Sequence, residues 1–300
     1  KRLLMVYAMK KNIEETLEVN KQLRSLLFKR GYLISSSKIR NIDKYPFYGC
    51  WEETKIHHKY IYIHKDQSFY VYNRNNNTSF LLIGHAYNPW DNIKKEIQLL
   101  EKCADAFEAG FENFIKELNK ITGVFVLLIF KNSKIIAFQD STGIMPLFYT
   151  KDKTGFLFSS HSQLIADLKN LKMDPEISKL INAKFYLIGI RHLPGIKSPF
   201  KSVKVLTANT YIDSETFKIN RFYPLNNGLS NTSVDNVKEI SSILKNSMSI
   251  ISDKFDASIS LTGGVDSKMT LAAASDALEK FDYFSFISST AESKDAIAAR

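Results

Sequence analysis

The sequence predicts an α+β domain followed by the beginning of an α/β domain. Over roughly the first 200 residues, short runs of β-branched and aromatic residues alternate with turn signals and a few helical stretches. Over roughly the last 70 residues a helix, a strand, a helix and a strand follow one another. These two patterns of secondary structure in a chain of 300 residues indicate two domains, and the polar run at 226–236 marks the boundary between them.

The elements of the first domain follow from local patterns. A β-hairpin is predicted over 59–72, because aromatic and β-branched residues flank Asp66-Gln67. A helix is predicted over 92–119, with Asp91 as its N-cap. The remaining predicted strands are short and are separated by turn residues: 79–87, 124–130, 135–139, 146–150, 155–159, 206–208 and 211–212.

The composition is that of a globular protein, since 44% of the residues are hydrophobic and 24% are charged. The longest apolar run, residues 123–130, is far shorter than the roughly 20 residues that cross a bilayer, so we expect no membrane partner. The net charge is +10, and residues 1–60 hold 13 basic and 6 acidic residues. Because an apolar stripe at Ile13, Leu17 and Leu23 interleaves these charges, a solvated helix face explains them and nucleic acid is disfavoured as a partner.

Cysteine content and chain ends give further expectations. Cys50 and Cys103 are too few for a disulfide framework, so we expect a cytoplasmic protein in which both are buried small hydrophobic residues. Lys1-Arg2 and the apolar residues after them resemble a signal peptide superficially, but no small-residue cleavage site follows. Since the sequence starts with Lys1 and stops at Arg300 within the alternation of strands and helices, we expect it to be a fragment.

The strongest chemical signal is a glycine turn between a strand at 257–261 and a helix at 268–278. Glycines let the backbone approach a ligand, and the free N–H groups and positive dipole end of a helix favour an anion. The sequence therefore predicts a phosphate site, although a helix merely capped by Asp266 or Ser267 is the alternative. The residues of this predicted phosphate site are Ser260, Leu261, Thr262, Gly263, Gly264, Asp266 and Ser267, with Asp266 as the magnesium ligand.

The turn Thr262-Gly263-Gly264-Val265-Asp266-Ser267 resembles the S-G-G-x-D-S pyrophosphate loop of ATP pyrophosphatases. The G-x-x-x-x-G-K-[ST] loop of ordinary nucleotide hydrolases is absent from the sequence. Enzymes of the ATP pyrophosphatase group cleave ATP between its α and β phosphates and leave an adenylate on the substrate. The resemblance implies ATP and Mg²⁺ as cofactors.

Residues 139–149 resemble the R-D-x-x-G-x-x-P-L-Y-Y segment of asparagine synthetases, with Asp140, Gly143 and Pro146 in register and Gln139 in place of the usual Arg. Weaker resemblances to this family keep the same order along the chain: residues 84–88, 123–126, 158–164 with His161 where Glu is usual, 221–224, and Asp295 with Ala298. The shared order makes the chain similar to the asparagine synthetase family from about residue 80 to residue 300.

This resemblance implies an Ntn-hydrolase-like sandwich over residues 1–224, followed by an α/β ATP-pyrophosphatase domain that begins at 225 and is truncated at 300. The family's glutaminase nucleophile is an N-terminal cysteine whose α-amine acts as the base. Lys1 stands at the start of this sequence, so the catalytic residues stay unassigned. Either the true N-terminus is missing or the glutaminase is degenerate, and the basic stretch at 12–30 favours degeneration.

The implied function is an ATP-dependent ligase that forms an amide through an acyl-adenylate and releases AMP and pyrophosphate. The expected substrates are a small-molecule or peptide carboxylate and either ammonia or a substrate amine rather than glutamine, as in asparagine biosynthesis. A homodimer is compatible with this function. The alternatives are an RNA-modifying ATP pyrophosphatase, which the basic first 60 residues fit, and a non-catalytic regulatory homologue.

Overall fold

A computed structural model describes residues 17–189, 192–224, 234–287 and 296–297. These residues fall into two compact units, one within Lys1–His85 and Val124–Tyr223 and the other within Ala86–Gly123 and Pro224–Arg300. Several features used in the sequence analysis lie outside the described residues: Lys1, Arg2, Ile13, residues 226–233 of the polar run at 226–236, Asp295, Ala298 and Arg300.

The described residues include fourteen strands and seven α-helices. The strands are β1 Tyr32–Ser35, β2 Trp51–Ile56, β3 Lys59–His64, β4 Phe69–Asn75, β5 Thr78–Tyr87, β6 Thr122–Lys131, β7 Lys134–Gln139, β8 Phe148–Asp152, β9 Gly155–Ser159, β10 Lys204–Val205, β11 Thr210–Asp213, β12 Ile219–Arg221, β13 Ala257–Ser260 and β14 Phe281–Phe284. The helices are α1 Glu96–Ala109, α2 Phe111–Leu118, α3 Ser162–Lys169, α4 Pro175–Ile181, α5 Lys184–Ile188, α6 Val234–Lys254 and α7 Val265–Ala273. No described helix is both long enough and apolar enough to cross a membrane.

Two six-stranded sheets form the framework of the first unit. Their strand orders are β10-β8-β9-β1-β3-β2 and β12-β11-β7-β6-β5-β4. Alternate residues of β1 point to opposite faces, as a strand requires. Tyr32 and Ile34 therefore join Val126 and Leu128 of β6 in the core between the sheets. Each buried side chain of this kind contributes about 1.5–3 kcal/mol to stability.

The other face of the first sheet is covered by a helix. Leu33 of β1 belongs to a second buried cluster that includes Leu164, Ile165 and Ala166 of α3. These α3 residues form an apolar face opposite the exposed Gln163. The first unit is therefore a helix, a sheet and a second sheet in layers, in agreement with the predicted α+β architecture.

The predicted hairpin over 59–72 is wrong. β3 pairs with β1 and β2, whereas β4 pairs with β5 in the other sheet. The real hairpin joins β2 to β3 through His57 and His58, which have φ angles of 44° and 64°. Two consecutive positive φ angles define the tight turn that matches strand twist, and this turn usually contains Asn or Gly.

The predicted helix over 92–119 is two helices. It begins at Glu96 rather than next to Asp91, and Gly110, with a φ of 134°, separates α1 from α2. The Asp91 carboxylate does not cap a helix but accepts a hydrogen bond from Lys102 at 2.8 Å.

The predicted strands at 79–87, 124–130, 135–139 and 155–159 are confirmed within one or two residues, whereas 206–208 lies outside any strand.

The C-terminal part of the second unit has the predicted order of helix, strand, helix and strand. β13 and β14 pair in parallel, with Ala257 opposite Phe281, so α7 lies in a crossover between parallel strands. A buried cluster of Ile259, Ala274 and Phe281 joins these elements. α7 begins at Val265, three residues earlier than predicted, which places Asp266 and Ser267 in its first turn.

Candidate functional site

The predicted phosphate-site residues lie together at the carboxyl end of β13. Ser260 ends the strand, and the backbone N–H of Leu261 still donates to the carbonyl oxygen of Phe284 at 2.8 Å. Gly264 lies directly before the first residue of α7. Ser260, Gly264 and Asp266 are exposed, so this strand, turn and helix form an open site.

Ser267 connects the two ends of the glycine turn. Its hydroxyl oxygen accepts from the N–H of Thr262 at 3.1 Å and lies 3.0 Å from the Thr262 hydroxyl. The Thr262 hydroxyl in turn accepts from the N–H of Gly264 at 3.1 Å. A Cβ on Gly264 would lie 3.2 Å from that hydroxyl oxygen, so glycine lets the backbone pass close to it.

Asp266 supplies the carboxylate of the site. It lies in the first turn of α7, where the exposed carboxylate faces solvent. Magnesium is usually held by one or two carboxylates together with substrate phosphates and waters. No group of three or more potential metal ligands occurs among the described residues.

The turn after β7 contains Asp140, within the segment 139–149 that resembles asparagine synthetases. The Asp140 carboxylate is fully buried and accepts from the N–H groups of Thr142, Ile144 and Met145 and from the Thr142 hydroxyl, at 2.8–3.1 Å. Charge-assisted bonds of this kind are about twice as strong as neutral ones. Asp140 therefore fixes the turn that carries the chain from the second sheet to the first.

Gly84 and Gln139 lie against the same turn. Gly84 has a φ of 107°, and a Cβ there would collide with the Val124 carbonyl oxygen and lie 3.0 Å from the Met145 methyl group. Gln139 donates to the Met145 carbonyl oxygen at 2.9 Å. Within the described part of the chain, its own buried Oε1 accepts no hydrogen bond. Gln139, in the usual Arg position, thus supports the turn through its amide nitrogen.

Tyr32 anchors the turn from the neighbouring sheet. Its hydroxyl donates to the Pro146 carbonyl oxygen at 2.7 Å. Burial, and to a smaller extent the Asp140 charge, raises the pKa of Tyr32 well above its usual value. Tyr32 therefore stays a neutral hydrogen-bond donor.

Ser160 and His161 form a polar pair that the sequence patterns did not reveal. The Ser160 hydroxyl oxygen lies 2.8 Å from Nδ1 of His161 and accepts from the N–H of Tyr32 at 2.9 Å. Burial lowers the pKa of His161, which favours a neutral ring whose Nδ1 accepts from Ser160. The pair thus fastens the end of β9 to the beginning of β1.

The two cysteines differ in burial. Cys103 is completely buried in α1, and burial raises the pKa of its thiol. Since the thiolate is the nucleophile, Cys103 is inert. The interpretation as a buried small hydrophobic residue is confirmed for Cys103, whereas Cys50 is half-buried beside the cluster of Leu33 and Trp51.

Comparison with known proteins identifies one family. The model of the glutamine amidotransferase domain matches residues 71–223, about half of the chain. No sequence among the curated proteins matches.

Solved structures give more distant similarities. The glutamine phosphoribosylpyrophosphate amidotransferase from B. subtilis complexed with ADP and GMP is 11% identical with a TM-score of 0.37, and the alignment covers 87% of this chain and 61% of that one. A structure described as the allosteric regulatory enzyme of purine biosynthesis is 11% identical with a TM-score of 0.37, with coverage of 91% and 65%. The chain thus spans less than two thirds of either protein.

Proposed function

Because the chain belongs to the glutamine amidotransferase domain family, we propose that it takes part in transferring amide nitrogen to a carboxylate that ATP activates. The proposed enzyme is a ligase similar to asparagine synthetase. One observation carries the proposal: the family match over residues 71–223 is followed in the same chain by the strand, glycine turn and helix at 257–273. The first feature supports nitrogen transfer, and the second supports the binding of a phosphate chain.

In the proposed reaction, a carboxylate oxygen of the substrate attacks the α-phosphorus of ATP. The bond from that phosphorus to the bridging oxygen breaks, and pyrophosphate leaves with its electron pair. A nitrogen nucleophile then attacks the acyl carbon, loses a proton and displaces AMP. Holding both reactants in one site supplies the proximity that this second step needs.

The glycine turn would hold the pyrophosphate. Gly264 is exposed, and Thr262 and Ser267 are half-buried. The hydroxyls of Thr262 and Ser267 bond to partners within the turn and would turn toward phosphate oxygens when the ligand binds. The positive end of α7 adds a favourable field for the anion. Asp266 would hold the magnesium ion, which neutralises charge on the phosphates.

Ammonia or a substrate amine is the proposed nitrogen donor. Cys103 does not serve as a glutaminase nucleophile, because it is buried and burial raises the pKa of its thiol. The acceptor is proposed to be a small-molecule or peptide carboxylate, with aspartate as the first candidate.

Pyrophosphate release from ATP by the full-length protein tests this function. With aspartate and MgCl₂ present, we expect release that requires ammonium and gains nothing from glutamine. Asp266→Ala should abolish release, whereas Asp282→Ala, which removes an exposed carboxylate from the adjacent β14, should leave it unchanged. No release with aspartate, other carboxylates or either nitrogen source would contradict the ligase proposal. Release supported by glutamine would contradict the proposed donor.

A further inference from the structure

Lys254 is the last residue of α6, and its ammonium group donates three hydrogen bonds. Its Nζ lies 2.7 Å from Glu96 Oε1, 2.7 Å from the Lys94 carbonyl oxygen and 3.3 Å from that of Ala86. An ammonium has three N–H donors, so these three acceptors satisfy all of them. The Lys254 and Glu96 side chains are only 14% and 6% exposed.

Further contacts join the same two stretches of chain. Asn246 of α6 donates to the Pro89 carbonyl oxygen at 2.9 Å, and Asp253 pairs with Lys94. Residues 86–96 therefore contact the C-terminal half of α6 at several points. These residues lie within the segment 71–223 that matches the amidotransferase family.

The net stability that a buried ion pair provides is small, because removing two charges from water costs several kcal/mol per ion. What such a pair does supply is a fixed geometry, since both partners lose their bonds if one of them moves. The Lys254–Glu96 pair is thus better suited to setting the position of α6 along residues 86–96 than to stabilising the fold.

The position of α6 determines that of the glycine turn. Met248 and Ile251 of α6 pack against the buried cluster that contains Ile259, and Leu261 packs against the same cluster. Leu261 precedes Thr262, the first residue of the turn. A shift of α6 would therefore move β13 and the hydrogen-bond donors that follow it.

We propose that Lys254 is a positioning residue for the glycine turn. Through Glu96 it ties α6, and with α6 the turn at 262–264, to a segment of the amidotransferase-family region. The ligand of the turn, ATP with magnesium, rests on the proposed function, but the positioning itself does not.

Hydrogen exchange tests the positioning without any ligand. The N–H groups of Thr262 and Gly264 donate to side-chain oxygens within the turn, so their exchange reports its order. In Lys254→Met we expect exchange at 262–264 to rise about ten-fold or more, with little change at Phe80–Ile83 of β5. Lys280→Met is the matched control. Lys280 Nζ lies 2.9 Å from an Asp253 carboxylate oxygen, and its side chain is more exposed than that of Lys254. Its loss should leave exchange at the turn unchanged.

A conservative variant separates positioning from stability. Glu96→Gln keeps an oxygen that accepts from Nζ, so exchange at the turn should stay near that of the unaltered protein, whereas Glu96→Ala should behave like Lys254→Met. Unchanged exchange at the turn in both Glu96→Ala and Lys254→Met would overturn the proposal. So would a rise of equal size in every segment, because that is the result of general destabilisation. If Lys254→Met does not fold, the two Glu96 variants decide by the same criteria.

Titration with magnesium and ATP separates this inference from the proposed function. If the unaltered protein binds, Lys254→Met should weaken binding about ten-fold, because misplaced donors lose most of their value. Binding that is unchanged in a variant whose turn exchanges faster would overturn the link to the ligand. If the unaltered protein does not bind ATP, the proposed function fails while the exchange result still decides the positioning.

Discussion

The hydroxyl oxygens of Thr262 and Ser267 lie 3.0 Å apart, and together they close the glycine turn between β13 and α7. Thr262 is the residue that differs from the first Ser of the S-G-G-x-D-S loop. Its hydroxyl accepts from the N–H of Gly264 at 3.1 Å, a role that a serine hydroxyl in the same place would also fill.

Thr262→Ala should therefore weaken the binding of ATP with magnesium about ten-fold, because one donor to the ligand is lost and the N–H of Gly264 loses its partner. Thr262→Ser should stay within about two-fold of the unaltered protein, since the hydroxyl remains. Isothermal titration calorimetry of the three proteins measures the effect. Equal weakening in both variants would show that the hydroxyl is not what matters.

Asp140 should be among the most sensitive positions of the first unit. Asp140→Asn replaces one carboxylate oxygen by an amide nitrogen, which cannot accept from the backbone donors of the turn. We expect a loss of about 2–3 kcal/mol in the free energy of unfolding, measured by urea denaturation. Asp282→Asn, on the exposed face of β14, should change it by less than about 0.5 kcal/mol. A loss at Asp140 no larger than this would contradict its assigned role.

Gly84→Ala should destabilise the protein by about 3 kcal/mol or more, since a Cβ there collides with the Val124 carbonyl and φ is 107°. Gly49→Ala is a matched control, because a Cβ at Gly49 meets no atom within 4 Å. Thermal unfolding of both variants measures the difference. Similar melting temperatures would mean that the backbone adjusts at Gly84 at little cost.

His161 should make stability depend on pH. Burial lowers the pKa of His161 in the folded protein, whereas the unfolded chain titrates near the ordinary value of about 6.5. As the pH falls below about 6.5 the unfolded state takes up the proton first, so stability present above that pH is lost.

The free energy of unfolding in urea should therefore fall between pH 7 and pH 5, and His161→Asn should reduce this fall. Asn is chosen because its amide oxygen can still accept from the Ser160 hydroxyl. Comparing the two proteins isolates His161 from the other histidines. Equal falls in both proteins would contradict the assignment.

The two cysteines should differ in reactivity. Cys103 is fully buried, and burial raises the pKa of its thiol, whereas Cys50 is half-buried. Mass spectrometry after brief iodoacetamide treatment of the native protein should show labelling at Cys50 at least about ten times faster than at Cys103. In denaturant the rates should become similar. Rapid native labelling of Cys103 would contradict its burial.

Features that lie within a few consecutive residues could be predicted from the sequence alone. The strand, glycine turn and helix at 257–273 are recognisable because their chemistry is contiguous in the chain. β6, β7 and β9 were also predictable, because each is a short apolar run bounded by turn residues. The family resemblance of residues 139–149 correctly indicated an amidotransferase region.

Contacts between residues that are distant in the sequence could be seen only in the folded structure. The partner strands of β3 could not be predicted from its own residue pattern. Pairing depends on which other strands lie beside it in the folded sheet. Ser160 contacts Tyr32 across 128 residues, and Lys254 contacts Glu96 across 158. Such contacts leave no periodic signal in the sequence. A polar side chain has many potential partners, and only packing decides which of them comes within hydrogen-bond distance.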